Sequence, residues 1–396
     1  MFVARGVGVL LLCLLLAGCR DQAEITVGDS QNIVDDKNAG APTTGDWLII
    51  HALSDPEQLN PLTSNDAGSS EINGYIFESL LSRDPRTLEL KPIIAEARPE
   101  ISQDKLSYTF KIRKNARFQD GRPVTGEDVL FSVKAIKCPL VNAPFLRVYF
   151  NSVVDAQLLD PYTIRFFIRE PYFLNESVLG GVIVMPRHYY DRENLLRSIT
   201  VRQLAQDPTK LPAEVKKFAD VFNRNYNRNP LGSGPYKFSH WKTGSETELT
   251  RDTDYWGNGQ EGIDQPHVDK LKFRVVNNMD AALTRLKSGS LDYMESLQPV
   301  QVVRGTSSER FKREFKKYEY YAPTYTYIGW NNDHPIFGDK RVRQAMTYLT
   351  NRKQIVDTVL FGLGEVVDSP IYFFRPEYDK TLVSYPFDPA KALALL

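Results

Sequence analysis

The side chains with the most evident chemical potential are a serine near the N-terminus and an Asp-x-x-His motif much later. Ser30 ends the run Gly28-Asp29-Ser30, and Asp264 precedes His267 by three positions. A serine nucleophile needs a base and an oxyanion hole that are held on a rigid scaffold. Ser30 instead lies in a short polar leader. An exported serine hydrolase of the GDS type is therefore kept only as the alternative function.

A cysteine at the end of an apolar N-terminal segment indicates lipid attachment. Arg5 precedes the apolar run 7–16, which is too short to span a bilayer, and small residues lead into Cys19. This pattern predicts a lipoprotein signal peptide over residues 1–19, after whose removal an acylated Cys19 anchors the protein to a membrane. We expect a periplasmic or otherwise extracytoplasmic, lipid-anchored protein. An ordinary signal peptide or a short membrane anchor is the alternative.

The composition excludes several classes of partner and cofactor. Lys and Arg total 49, as do Asp and Glu, so no global field attracts nucleic acid. Cys138 has no partner for a disulfide and is expected to be a small buried apolar side chain. The histidines have no i, i+4 pair and no cysteine neighbours, so we predict no metal site and no cofactor. They are His51, His188, His240, His267 and His334.

Apolar periodicity predicts a mixed α/β (α+β) body after a polar tether at residues 20–45. Continuous apolar residues predict a buried strand at 47–50, and alternating apolar residues predict strands at 108–112, 162–168 and 271–275. Helical spacing predicts helices near residue 72, after a Thr125–Asp128 capping box, over 342–349, and over 355–360 before Gly362. A last helix begins after Asp388 and has no stop signal before Leu396, so we expect a fragment of a longer protein.

Nine blocks, in order, resemble the family 5 extracellular solute-binding proteins, which are oligopeptide and dipeptide receptors of ABC importers. They are 59–61 (LNP), 76–81 (IFESLL), 92–96 (PIIAE), 108–113 (YTFKIR), 118–129 (FQDGRPVTGEDV), 232–238 (GSGPYKF), 251–256 (RDTDYW), 337–345 (FGDKRVRQA) and 386–392 (PFDPAKA).

The resemblance implies a two-lobed clamp of the type II periplasmic-binding-protein class, in a three-domain variant whose C-terminal part is missing here. Carried over, residues 46–68 and 175–290 form the first lobe, 69–174 an inserted second domain, and 291–396 an incomplete second lobe. The implied function is that of an extracytoplasmic receptor, not an enzyme, in which lobe closure over a peptide presents it to permease subunits. We expect a monomer. A ligand-binding sensor and a metal-chelate or haem receptor of the same family remain alternatives.

The matching blocks also indicate candidate ligand contacts. Asn65, Asp66 and Ala67 follow the first block and would lie at the cleft, or else form an exposed loop. Phe145 stands where peptide receptors place an aromatic residue, or else is a core residue of the inserted domain. The triplet 295–297 (Glu295, Ser296 and Leu297) lies at the crossing between lobes, where Glu295 could meet a ligand amine, or is an ordinary surface carboxylate.

Tyrosines are concentrated between residues 318 and 330. Alternation places Tyr325 and Tyr327 on one face, and Ile328 and Trp330 on the other. The tyrosine face could line a ligand groove, with apolar rings and polar tips, or could pack as a strand on a neighbouring helix. The Gly232–Pro235 run lacks the Lys-Thr ending of a phosphate-binding loop and is read as a tight turn.

Overall fold

A computed structural model describes residues 42–85, 87–375 and 377–396. Cys19, Ser30, the predicted signal peptide and most of the tether lie outside the described residues. The strands are β1 (Trp47–Ala52), β2 (Leu81–Arg83), β3 (Leu90–Pro92), β4 (Glu100–Ile101), β5 (Ser107–Lys111), β6 (Val153–Asp160), β7 (Thr163–Ile168), β8 (Tyr236–Lys242), β9 (Glu246–Arg251) and β10 (Lys270–Val275).

The helices cluster between and after the strands. They are α1 (Ala67–Ile76), α2 (Gly126–Lys137), α3 (Pro144–Tyr149), α4 (Asn175–Gly180), α5 (Arg187–Tyr190), α6 (Val201–Leu204), α7 (Ala213–Asn225), α8 (Met279–Lys287), α9 (Glu309–Glu314), α10 (Lys340–Leu349), α11 (Arg352–Gln354) and α12 (Pro389–Leu395). A 3₁₀ turn covers Pro208–Lys210, and π turns cover Gln301–Gly305 and Ile355–Val359.

The first sheet joins the start of the body to segments almost two hundred residues later. Its order is β1-β10-β9-β8, with β1 parallel to β10 and the other pairs antiparallel. α1 crosses this sheet, because the ring of Tyr75 lies 5.8 Å from that of Tyr236 and 5.9 Å from that of Phe273. The predicted domain boundary between residues 68 and 69 falls within α1, and the division into domains stays a prediction.

The second sheet, of order β4-β5-β7-β6, packs against α2. Inward side chains such as Phe110, Ile164 and Phe166 are fully buried. Thr125 and Asp128 form the predicted capping box at the start of α2, with the Thr125 amide 2.9 Å from the Asp128 carboxylate. One continuous apolar core joins both sheets, from Ile50 to Phe273.

The region after residue 275 is packed differently. Two small cores stand apart from the large one: one around Val276, Leu286 and Phe311, the other around Ala345 and Tyr348. Between residue 276 and the C-terminus, the described residues contain no strand. Large apolar side chains are consequently exposed there, including Tyr327, of which 73% is exposed.

Three sequence-based expectations need correction. The strand at 47–50 is not wholly buried: Trp47 is 53% exposed, with the Lys272 ammonium 4.4 Å above its ring, because alternation turns it to the outer face. The expected helix over 355–360 forms, but as a π-helix over Ile355–Val359 that directly follows α11, and its Val359 is 61% exposed. The core alternative for Phe145 is wrong, because 60% of that side chain is exposed.

Cys138 is fully buried, as expected, and burial raises the pKa of its thiol. Across residues 42–396, with positions 86 and 376 left aside, no helix combines the length and apolar character that crossing a bilayer demands.

Candidate functional site

The chain leaves the first sheet along the free edge of β1. The amides of Asp292 and Tyr293 donate to the Ile49 carbonyl at 2.9 and 3.1 Å, and the His51 amide donates to the Tyr293 carbonyl at 2.9 Å. Tyr293 thereby forms a parallel bridge with Ile50. The Asp292 carboxylate also accepts the Ile49 amide at 2.8 Å. These bonds fix the segment 291–295, called the crossing below, beside the sheet.

Two carboxylates, one on α1 and one on the crossing, lie close enough to repel each other. Glu71 on α1 is half-buried, and Glu295 on the crossing is exposed. Burial, followed by repulsion from Glu295, raises the pKa of Glu71 to about 7. In the described part of the chain, neither carboxylate receives a hydrogen bond or an ion pair. Positive charge is therefore lacking where two negative groups meet.

Tyrosines surround the two carboxylates. Tyr75 lies one helical turn beyond Glu71, and burial and then repulsion from Glu71 and Glu295 raise its pKa. Burial, Glu295 and Tyr320 raise the pKa of Tyr293 to about 12. Neutral rings beside paired carboxylates suit a cationic group, since a ring face and a carboxylate both attract positive charge. We call Glu71, Tyr75, Tyr293, Glu295 and Tyr320 the crossing cluster.

Asp66, predicted at the cleft, is the N-cap of α1. Its carboxylate accepts the Ser69 amide at 2.8 Å, the Ser69 hydroxyl and the Glu57 amide. Asn65 and Ala67, on either side, are exposed. The three residues are thus brought to the start of the same helix that carries Glu71, with the Asp66 side chain engaged in capping.

The other predicted contacts are less closely grouped. Ser296 is exposed, whereas Leu297 packs against the small core around Val276. Phe145 pairs edge-to-face with Tyr149, at a ring distance of 5.7 Å, on the exposed side of α3. Within the described residues, no ring contact joins Phe145 to the crossing cluster.

Tyr325 and Tyr327 stand next to each other, as alternation predicted, with ring centres 5.7 Å apart. The segment that carries them has no regular secondary structure and is not part of a sheet in the described chain, so the alternative of a strand packed on a helix is wrong. A strand needs a backbone partner, and none runs beside this segment within the described residues. Their role as ligand contacts stays a prediction.

A cavity of about 570 Å³ lies elsewhere, at the N-terminus of α2. Among the side chains around it, Arg187 pairs with Glu127 at 2.9 Å, and His188 contacts the Asp120 carboxylate at 2.6 Å. None of the predicted ligand contacts lines it.

The serine-hydrolase alternative gains no geometric support. Asp264 is ion-paired with Lys91 at 3.0 Å, while Ser30 lies outside the described residues. For metals, a search of the chain from residue 42 onward, without positions 86 and 376, finds no group of three or more His, Cys, Asp or Glu side chains able to hold an ion.

Sequence reasoning missed Glu71 and Tyr75 as site residues. The available signal was the charge at position 71, directly before the buried Ile72, but its significance depends on Glu295, more than two hundred residues later.

Comparison with known proteins extends this picture. The family model described as bacterial extracellular solute-binding proteins, family 5 Middle, matches residues 89–396. The oligopeptide-binding protein AppA of Bacillus subtilis is 27% identical over 98% of this chain. The chain spans only 64% of the length of AppA.

Solved structures show the same architecture. AppA from Bacillus subtilis in complex with a nonapeptide matches with a TM-score of 0.71 and 25% identity, over 89% of this chain and 64% of that one. NikZ from Campylobacter jejuni in complex with Ni(L-His) matches with a TM-score of 0.70 and 24% identity, over 88% and 62%. The fold is therefore the mixed α/β, two-lobed periplasmic-binding fold.

Proposed function

Because the chain belongs to the bacterial extracellular solute-binding proteins of family 5, we propose that it captures a peptide outside the cytoplasm and delivers it to the permease of an ABC importer. Support comes from relatives whose names state peptide binding, including AppA and putative ABC transporter peptide-binding proteins of Brucella that are 27% identical over 85% of this chain. No catalytic step is needed.

Capture follows from the two-lobed fold. A ligand that contacts both lobes binds better when they are closed, so binding shifts the protein towards the closed form. Permease subunits can then distinguish the loaded receptor by its shape. An extended peptide can be held through its backbone, which allows side chains to vary.

The crossing cluster is the observation that carries the proposal. Glu71 on α1 and Glu295 on the crossing repel each other, and among the described residues neither has a cationic partner. We assign to them the amino group of the peptide, whose charge would relieve their repulsion. The exposed residues of the α1 start, Asn65 and Ala67, are proposed to contact the peptide nearby, as are Asp66 through its backbone, Ser296 and Leu297. Further along the peptide we place Phe145, Tyr325 and Tyr327.

The test uses thermal unfolding of the whole protein. A mixture of tri- to nonapeptides with free amino termini should raise the unfolding midpoint, since a ligand that binds only the folded state stabilises it. The same mixture N-acetylated should raise it much less, because the amine is blocked. Equal shifts with both mixtures would remove the amine from the proposal, and no shift with either would refute peptide capture.

We further propose that Cys19 carries the lipid that keeps the receptor at the membrane. Cys19→Ala should release the protein from membranes in fractionated cells and abolish incorporation of labelled palmitate. Cys13→Ala, in the apolar run before the predicted cleavage site, is the matched control and should change neither result. Membrane retention of the Cys19→Ala protein would contradict lipid anchoring.

A further inference from the structure

Gln119 bonds the segment before α2 to the first sheet. It lies in the turn 118–121, which is closed by the Gly121 amide donating to the Phe118 carbonyl at 2.8 Å. The backbone N–H of Gln119 donates to the Gly232 carbonyl at 2.9 Å, and its side-chain oxygen accepts the Gly232 amide at 3.3 Å. One residue therefore holds the turn against the chain that leads into β8.

The side-chain amide nitrogen of Gln119 faces three backbone carbonyls. It lies 2.8 Å from the Tyr236 oxygen, 3.0 Å from the Gly234 oxygen and 3.3 Å from the Ile76 oxygen. Only a donor fits among three acceptors, so these surroundings fix the orientation of the amide. Because Ile76 is the last residue of α1 and Tyr236 the first of β8, one amide group joins the end of a helix to the start of a strand.

The backbones around this amide approach each other closely. The Gly234 amide donates to the Ile76 carbonyl at 2.8 Å, and a Cβ on Gly234 would lie 2.5 Å from the Tyr75 oxygen. Three carbonyl oxygens lie within 3.3 Å of the one side-chain nitrogen of Gln119. Carbonyl oxygens so crowded repel each other unless a donor stands among them, and burial strengthens that repulsion. The close packing of α1 on this part of the chain therefore depends on the Gln119 amide.

α1 transmits this constraint to the candidate solute contacts. The helix has 10 residues, and its last turn is seated on the first sheet, where the ring of Tyr75 lies 5.8 Å from that of Tyr236. Residues 65–67 stand at its start, and Glu71 lies in its middle. Because a short helix moves as one rigid element, a shift at its end displaces all of these groups.

We propose that Gln119 is a positioning residue for solute capture. Its amide sets the place of α1 on the first sheet, and thereby the place of the solute contacts that α1 carries. Gln119 itself need not touch the solute. Removing the donor should leave the native helix position in only a fraction of the molecules, and the apparent affinity then falls by that same fraction. This inference rests on the proposed function.

The experiment uses two variants of the whole protein at pH 8. Gln119→Met keeps the length of the side chain and removes its amide, whereas Gln119→Glu places a carboxylate against the three carbonyls. Apparent affinity for the free-amine peptide mixture is taken from the concentration dependence of the unfolding midpoint. Both variants should bind about tenfold more weakly than wild type, since uncompensated buried carbonyls depopulate the native helix position by about that factor.

Acid should restore the function of the glutamate variant alone. The surrounding carbonyls raise the pKa of the introduced carboxyl group, and below that pKa its O–H can again donate. At pH 5 the affinity of Gln119→Glu relative to wild type should recover, and that of Gln119→Met should not. The neighbouring Asp120, which contacts His188 at 2.6 Å, titrates alike in both variants. The difference between the two variants therefore isolates the donor at position 119.

Gln206→Glu is the matched control. It introduces the same charge on an exposed side chain after α6, and should keep the wild-type affinity at both pH values. A purely structural role of Gln119 would lower the unfolding midpoint of its variants but leave their peptide affinity equal to that of the wild type. That result would overturn the inference, although peptide capture itself would stand.

Hydrogen exchange tests the position of α1 without solute. The Gly234 amide and the amides of α1 should exchange about tenfold faster in Gln119→Met than in the wild type, whereas those of β5 and β7 should keep their protection. Unchanged exchange in α1 would overturn the inference, as would equal recovery of both variants at pH 5. Absence of a peptide-induced shift in the wild type refutes the proposed function, and the role of Gln119 in capture with it.

Discussion

Glu71 and Glu78 lie seven residues apart, but their carboxylates have different partners. The carboxylate of Glu78 accepts the Tyr255 hydroxyl at 2.5 Å and the Trp256 indole N–H at 2.8 Å, from side chains only 4% and 8% exposed. The carboxylate of Glu71 accepts no hydrogen bond from the residues that the structure describes and is repelled by Glu295. Burial is the largest cause that raises the pKa in both, to about 7 in each case.

The difference separates a structural carboxylate from a functional one. Glu78 lies where the chain leaves α1, and its carbonyl accepts the Val184 amide at 2.9 Å, so its bonds tie three distant segments together. Its desolvation is offset by donors of the protein itself. Glu71 is less deeply buried, and no described residue donates a hydrogen bond to it, so a partner from solution could bind there.

The largest expected effect concerns the packing around the Glu78 segment. A Cβ on Gly232 would lie 2.0 Å from the Ile76 carbonyl oxygen. Because that oxygen belongs to the backbone, no side-chain rotation could relieve the clash. Gly232→Ala should reduce the free energy of unfolding by about 3 kcal/mol or prevent folding. Gly74→Ala on α1, where no atom lies within 4 Å, is the control and should stabilise the protein by up to about 1 kcal/mol. Urea unfolding measures both.

Amide substitutions should affect the two glutamates with opposite sign. Glu78→Gln replaces an acceptor by an amide N–H₂ that confronts a donor, and should destabilise the protein by about 2 kcal/mol at pH 8. Glu71→Gln removes the repulsion from Glu295 and should stabilise it by about 1 kcal/mol, a value reduced for its partial exposure. If urea unfolding shows that both substitutions change the free energy of unfolding in the same direction, the distinction between the two residues is contradicted.

The pH dependence of stability sharpens the comparison. A carboxyl group whose pKa is higher in the folded state binds a proton on folding, so its contribution is complete below pH 4.5 and is lost as pH rises through 7. Both glutamates should therefore make the wild type less stable at pH 8 than at pH 5. A wild-type profile that rises over this range would contradict the raised pKa values.

The smallest effect concerns Asp66. Asp66→Ala should reduce the free energy of unfolding by about 1 kcal/mol, whereas Asp66→Asn should be nearly neutral, because asparagine also caps helices. In both variants, peptide affinity should decrease only where the free energy of unfolding decreases, and loss of the negative charge alone should not change it. A loss of affinity in Asp66→Asn without a loss of stability would show that the carboxylate itself contacts the solute.

Local signals predicted the first part of the molecule well. The alternation over 108–112 and 162–168 became β5 and β7, and Thr125 and Asp128 formed the expected capping box. Such features depend on neighbours within a few residues. The family blocks extended these local predictions to the two-lobed fold.

Features that depend on residues distant in the chain were not predicted from the sequence. The electrostatic environment of Glu71 depends on Glu295, and the hydrogen bonds of Glu78 come from Tyr255 and Trp256. None of these partners lies nearby in the chain. The apolar stripe at 355–360 predicted a helix, and a π-helix forms over Ile355–Val359, but its π form was not predicted. Glu295 was the one member of the crossing cluster that sequence reasoning chose.

The most direct test is a crystal structure of the protein with a bound free-amine peptide, grown at pH 7.5. The account predicts the amino nitrogen within about 4 Å of a carboxylate oxygen of Glu71 or Glu295, with the Glu78 bonds to Tyr255 and Trp256 unchanged. A peptide amine bound elsewhere, with Glu71 and Glu295 still facing each other without a cation, would contradict it.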